Sequence, residues 1–180
     1  MIRVYNSGMP ITPDQALYLR DNAIRTFKNE QPVTQKVIES IPLDKGDYRP
    51  DEFSMTALEL ARHIAGAEHL FHHSVITGAF EFGGPSPLAG MASSADLARW
   101  YAESSRQDLE KLSALPAEAL TKVLDFRGLL QLPAVAFLDF SMRHIVHHRG
   151  QLSVYLRPMG SKVPSIYGES YDSKKAKAGA

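Results

Sequence analysis

The 180-residue chain contains no cysteine. Disulfides, cysteine-ligated zinc and a cysteine nucleophile are all excluded. Histidine and carboxylates are left as the side chains able to bind a transition metal. Net charge is also lacking, because 20 Lys+Arg balance 20 Asp+Glu. Without a basic excess there is no electrostatic footprint for nucleic acid or an anionic membrane. No apolar run approaches the ~20 residues that span a bilayer. The start, Met1-Ile-Arg-Val-Tyr-Asn-Ser-Gly8, lacks the apolar core of a signal peptide. The expectation is a cytoplasmic protein. Internal repeats, heptads and βαβ alternation are missing too.

What the chain does have is helical periodicity. Residues 1–12 read as irregular, with Gly8 and Pro10 as breakers. Thr12-Pro13-Asp14-Gln15 is a helix start: a capping threonine, proline at the first helical position, and glutamine to complete the capping box. A pattern through Leu17, Leu19, Ile24, Phe27, Val33, Val37 and Ile38 follows, with Pro32 as a kink or break. A second helix is expected from Met55 to about Thr77, capped by Ser54 and closed by Gly78. Ser93 or Ser94 opens a third to about Leu115, with Leu97, Trp100, Tyr101, Leu109 and Leu112 on its stripe. The segment 117–130 is ambiguous: Thr121-Lys-Val-Leu-Asp-Phe126 is compatible with an extended stretch, broken at Gly128. A fourth long helix is expected from Gln131 or Pro133 to Leu156 or Arg157. Four long helices in 180 residues imply an all-α bundle, read as a single domain over 1–173 with a disordered basic tail at 174–180.

The seven histidines form two clusters, 63/69/72/73 and 144/147/148. At about 100° per residue, His144 and His148 lie about 40° apart on the stripe that carries Phe137, Ser141, Gln151 and Tyr155. His147 falls to one side. On the second helix His63 shares the inward stripe with Leu60, Ala67, Leu70 and Ser74. His69 and His73 fall on its flank and His72 on the opposite face. The plain alternative is a set of core histidines paired to carboxylates or carbonyls. Two adjacent buried imidazoles without partners are costly, however, and an i, i+4 pair joined by an inward histidine from another helix suits Zn, Ni or Fe. Glu59, one turn before His63, and Gln151 are candidates to support these ligands. Arg149 and Arg157 read as complements to a helix C-terminus, with an anionic substrate as the alternative.

The run His144-Ile-Val-His-His148-Arg-Gly-Gln-Leu-Ser-Val-Tyr, the tail Val163-Pro-Ser-Ile-Tyr-Gly and the upstream Ala57-Leu-Glu-Leu-Ala-Arg-His63 together resemble the DinB / YfiT-like superfamily. The likeness covers about residues 14–172. It implies a four-helix bundle with a long crossover connection and a divalent metal on His63, His144 and His148, the residues the helical wheels also select. It further implies a small-molecule substrate and a homodimer. Some members are thiol transferases, so a low-molecular-weight thiol is an implied second cofactor. A stress-related metal or small-ligand binder and a metal-dependent hydrolase are the alternatives. Gln151, Tyr155 and Glu59 are the candidate pocket residues; neither the catalytic residues nor the substrate can be read.

Overall fold

The structure, a computed structural model, describes residues 11–84 and 86–178. Its elements are α1 (Pro13–Glu39), α2 (Ala57–Thr77), α3 (Ser94–Ser113), the short α4 (Ala117–Thr121), a hairpin of β1 (Val123–Phe126) and β2 (Leu130–Pro133), α5 (Ala136–Leu156) and α6 (Tyr171–Ala178). Of the irregular stretch expected over residues 1–12, residues 1–10 lie outside the described residues, as does the end of the tail at 179–180, and residues 11–12 precede α1.

The long helices form a four-helix bundle in which α2 packs on α5 and α3, and α1 packs on α3 and α5. Consecutive helices α1 and α2 therefore sit on one diagonal. The chain crosses between them through residues 40–56, which is the long crossover. The second diagonal, α3 to α5, is bridged by α4 and the hairpin. The core is apolar and continuous: Phe27, Ile38, Leu60, Ile64, Leu97, Leu112, Phe137, Ile145 and Leu152 are all buried.

Helix starts follow local chemistry. Thr12 and Gln15 close the expected capping box on α1. Pro32 neither splits nor ends this helix, since α1 runs unbroken to Glu39. The apolar positions of α1 are less buried than expected: Leu19 is 42% exposed, and the buried set is Ala16, Ile24, Phe27, Thr34, Val37 and Ile38. For α2 the cap is Thr56 rather than Ser54, because Thr56 Oγ1 accepts from Glu59 N while Glu59 Oε2 accepts from Thr56 N. Ser54 is held instead in a turn by Asp51. Gly78 ends α2 at φ +76°, in the left-handed region that disfavours a side chain.

The last long helix starts later than expected. Leu130–Pro133 pair antiparallel with Val123–Phe126. The turn between them places Arg127 and Gly128 at φ +56° and +69°, and Asp125 Oδ1 accepts from Gly128 N at 2.6 Å. Backbone bonds from Ala134 N to Lys122 O and Val135 N to Leu120 O then aim α5 back into the bundle.

The described part of the basic tail lies in α6, Tyr171–Ala178. Ser170 Oγ accepts from Ser173 N, and Asp172 accepts from Val163 N and Arg157 Nε, so a short helix forms. Val163 and Ile166 pack on the core, whereas Tyr167 is 71% exposed.

Candidate metal centre

α2 and α5 bring His63, His144 and His148 together. His63 Nε2 lies 3.1 Å from His144 Nε2 and 3.2 Å from His148 Nε2. All three ligand atoms fall within 4.8 Å of one another, and each residue is half-buried. Three nitrogens at ~2.0–2.1 Å from one tetrahedral ion stand ~3.3–3.4 Å apart. The two distances from His63 are within a few tenths of an ångström of that.

Proton positions point the same way. His148 Nδ1 sits 3.1 Å from Gln151 Oε1. A carbonyl oxygen only accepts, so Nδ1 carries the proton and Nε2 keeps its lone pair, directed at His63. His63 Nε2 faces that lone pair and also His144 Nε2, with at most one proton to offer them, and His144 Nδ1 has no hydrogen-bond partner among the described residues. A cation on the three lone pairs resolves this. Burial, with the neighbouring imidazoles, lowers the His144 pKa to about 4. Burial and then His148 lower that of His63 as well. Both rings are thus neutral at neutral pH, the form that binds metal.

This has a measurable consequence for the metal-free protein. Unfolded, His144 titrates near 6.5; folded, near 4. Between those values the unfolded state binds more protons, so stability falls as pH drops through that window and is intact above it. His72, also lowered to about 4, acts in the same direction, while Glu68, raised to about 7, acts against it. Urea midpoints of wild type and His144→Gln, compared across the window, isolate the His144 share. Wild type should lose ground to the variant as pH falls; parallel curves would refute the assignment.

One wall beside His144 is aromatic. Phe71 lies 6.1 Å from the His144 ring and packs on Phe80, Phe126, Phe137 and Phe140. The hairpin supplies Phe126, and Arg127 covers Phe82 at its rim.

With this geometry in place, comparison with known proteins is decisive. The model of the DinB family matches residues 15–178. The chain belongs to the DinB family. It is 32% identical over 141 residues to the uncharacterized protein YjoA of Bacillus subtilis (strain 168), covering 74% of this chain and 86% of YjoA. It is 27% identical over 152 residues to the uncharacterized protein YrdA of the same organism, covering 82% and 87%. The crystal structure of the DinB-like YjoA superposes with a TM-score of 0.64 at 28% identity, over 82% of this chain and 99% of that one. That of a DinB-like protein from Bacillus cereus ATCC 10987 superposes at 0.69 with 25% identity, over 82% and 97%.

The other residues of this DinB chain singled out from sequence fare differently. Gln151 Oε1 lies at hydrogen-bond distance from His148 Nδ1. The Glu59 carboxylate lies in the cap of α2, and the hydrogen bonds to Thr56 hold its pKa below the ordinary value. Tyr155 is buried with its ring against Tyr48 at 5.9 Å, and its hydroxyl has no hydrogen-bond partner among the described residues. His147 is exposed beside His148.

His72 is a clear correction. It is fully buried and meets Phe27 edge-on at 4.4 Å. A wheel gives α2 one buried stripe, but this helix is packed by both α5 and α3. Arg149 is another: it is 1% exposed and anchors a polar network rather than a helix end. Its guanidinium donates to Glu30 Oε2 at 2.6 Å, Thr34 Oγ1 at 3.1 Å and the Tyr167 hydroxyl at 2.7 Å.

Two further groups escape the sequence. Glu68 is buried and accepts from the Tyr101 hydroxyl at 2.6 Å; burial raises its carboxyl to about 7. Asp108, also buried, pairs with His69 at 2.7 Å. Both sit at helical positions where an acidic residue ordinarily reads as solvated, and only the packing of α3 on α2 shows otherwise.

Proposed function

We propose that this DinB protein is a divalent-metal-dependent transferase of the thiol class, with His63, His144 and His148 holding the metal. The observation that carries this reading is the approach of His63 Nε2 on one helix to 3.1 and 3.2 Å from the Nε2 atoms of His144 and His148 on another. Three protein ligands leave a position for an exogenous group, the layout of a reacting site rather than a structural one. A divalent ion so held is a Lewis acid that lowers the pKa of a thiol at its open side.

The protein's own groups prepare the site. Gln151 holds His148 in the ligating tautomer. Burial keeps His144 and His63 neutral. The Phe71 wall limits water on one flank. The reaction is nucleophilic displacement: the thiol proton goes to solvent and a sulfur–carbon bond forms on an electrophile. The bond to the leaving group breaks, and that group takes the electron pair. A chain without cysteine supplies no thiol of its own, which suits a small diffusible one.

The test is turnover. Zn²⁺- or Ni²⁺-loaded protein is incubated with a panel of low-molecular-weight thiols and chlorodinitrobenzene. A saturable rate that disappears on chelation is expected with at least one thiol. Metal-loaded protein that shows no rate with any of them would contradict the transferase assignment. Release of the leaving group without thiol would point to hydrolysis instead.

A further inference from the structure

On α2, two more histidines stand one turn apart on a different face. His69 is six positions beyond His63, about 240° around the helix, on the side toward α3. Its Nδ1 lies 2.7 Å from Asp108 Oδ2 and 3.1 Å from Ser104 Oγ. The Asp108 side chain is only 3% exposed. A carboxylate accepts, so the proton sits on His69 Nδ1 and the Nε2 lone pair is left free. This is the same device by which Gln151 prepares His148, with a stronger acceptor. Trp100 packs edge-on against the His69 ring at 5.5 Å and restricts it.

His73 is exposed, and its ring lies 5.7 Å from that of His69, tilted by 32°. Two imidazoles on one tetrahedral ion have their centroids ~3.2 Å from it and so ~5.2 Å apart. His73 stands four residues after His69 on α2, the spacing at which two imidazoles can share one ion.

We infer that His69 and His73 form a second divalent transition-metal site on the α2–α3 face, with Asp108 fixing the His69 tautomer. Two imidazoles leave the rest of the coordination shell to water or an exogenous ligand. That makes the site weaker than the three-histidine cluster and open to exchange. This inference is independent of the transferase reading and of the ligands on the other face.

The experiment is a Zn²⁺ titration against a chromophoric chelator, on full-length protein made without a histidine tag and stripped of metal. Wild type should take up about two equivalents, the second about 10²–10³-fold weaker than the first, as expected for one ligand fewer. His73→Ala, at an exposed helical position where alanine is well tolerated, should lose the weaker event alone. His144→Ala should lose the tighter event and keep the weaker. Circular dichroism confirms that both variants remain folded. Saturation of wild type by the tight event alone, or a His73→Ala titration superimposable on wild type, would overturn the proposal. A weak event kept by both wild type and His144→Ala, with no tight event in either, would sink the three-histidine reading and leave this one standing.

Discussion

Replacing Glu30 by alanine should lower folding stability by about 3–5 kcal/mol, the usual result of stranding one partner of a buried ion pair. The partner here is Arg149, whose side chain is 1% exposed while that of Glu30 is 17% exposed. With the Glu30 side chain gone, the guanidinium keeps the Thr34 and Tyr167 hydroxyls and, at 3.5 Å, the backbone carbonyl of residue 30, and none of these carries charge. The reverse substitution should cost less. Arg149→Met retains most of the buried aliphatic volume, and the partly exposed Glu30 carboxylate can turn to water. Urea denaturation of the two variants therefore gives an asymmetric pair, Glu30→Ala the less stable. Equal losses, or a larger loss for Arg149→Met, would contradict this account of the network. The same network ties the C-terminal segment to α1 through Tyr167, so Glu30→Ala should also expose residues 158–173 to proteolysis earlier than wild type.

The second large effect concerns metal affinity, where the residues divide by role. His144→Ala removes a ligand. Apparent zinc binding free energies of ~10–16 kcal/mol for four-ligand sites correspond to roughly 2.5–4 kcal/mol per ligand, or about 10²–10³-fold in the dissociation constant. Gln151→Leu removes only the acceptor that orients His148 and should weaken binding about 10- to 100-fold. Glu59→Gln should leave affinity unchanged, because that carboxylate belongs to the α2 cap. The ranking can be read from one competition titration per variant. A Glu59 variant as impaired as His144→Ala would mean that α2 sits differently against α5.

The parts of this molecule that are legible in sequence share a physical basis. An i, i+4 pair on an apolar stripe fixes which way two imidazoles point, so spacing alone puts His144, His148 and Gln151 on one face. His63 follows from the same rule on α2. That rule fails where a helix is buried on more than one side, and this is why His72 lies in the core although the wheel turns it away from the inward stripe. It also fails where one residue type has two uses, as with Glu59, since a carboxylate three residues after a threonine serves as well in a cap as beside a ligand. The hairpin leaves little trace because four-residue strands are too short to display a period of two, and Pro133 reads equally as a first helical residue. Arg149 has the sequence position of a helix-terminal cation; its burial depends on Glu30 and Tyr167, distant in sequence and joined only by the fold.

The central claim is that the three imidazoles hold a divalent metal, and it rests most directly on metal content. Wild-type protein, produced without a histidine tag or chelator and passed through desalting after exposure to Zn²⁺ or Ni²⁺, should retain about one tightly held ion per chain. His144→Ala treated identically should retain none at that site. Wild type that holds no more metal than His144→Ala would contradict the account at its base.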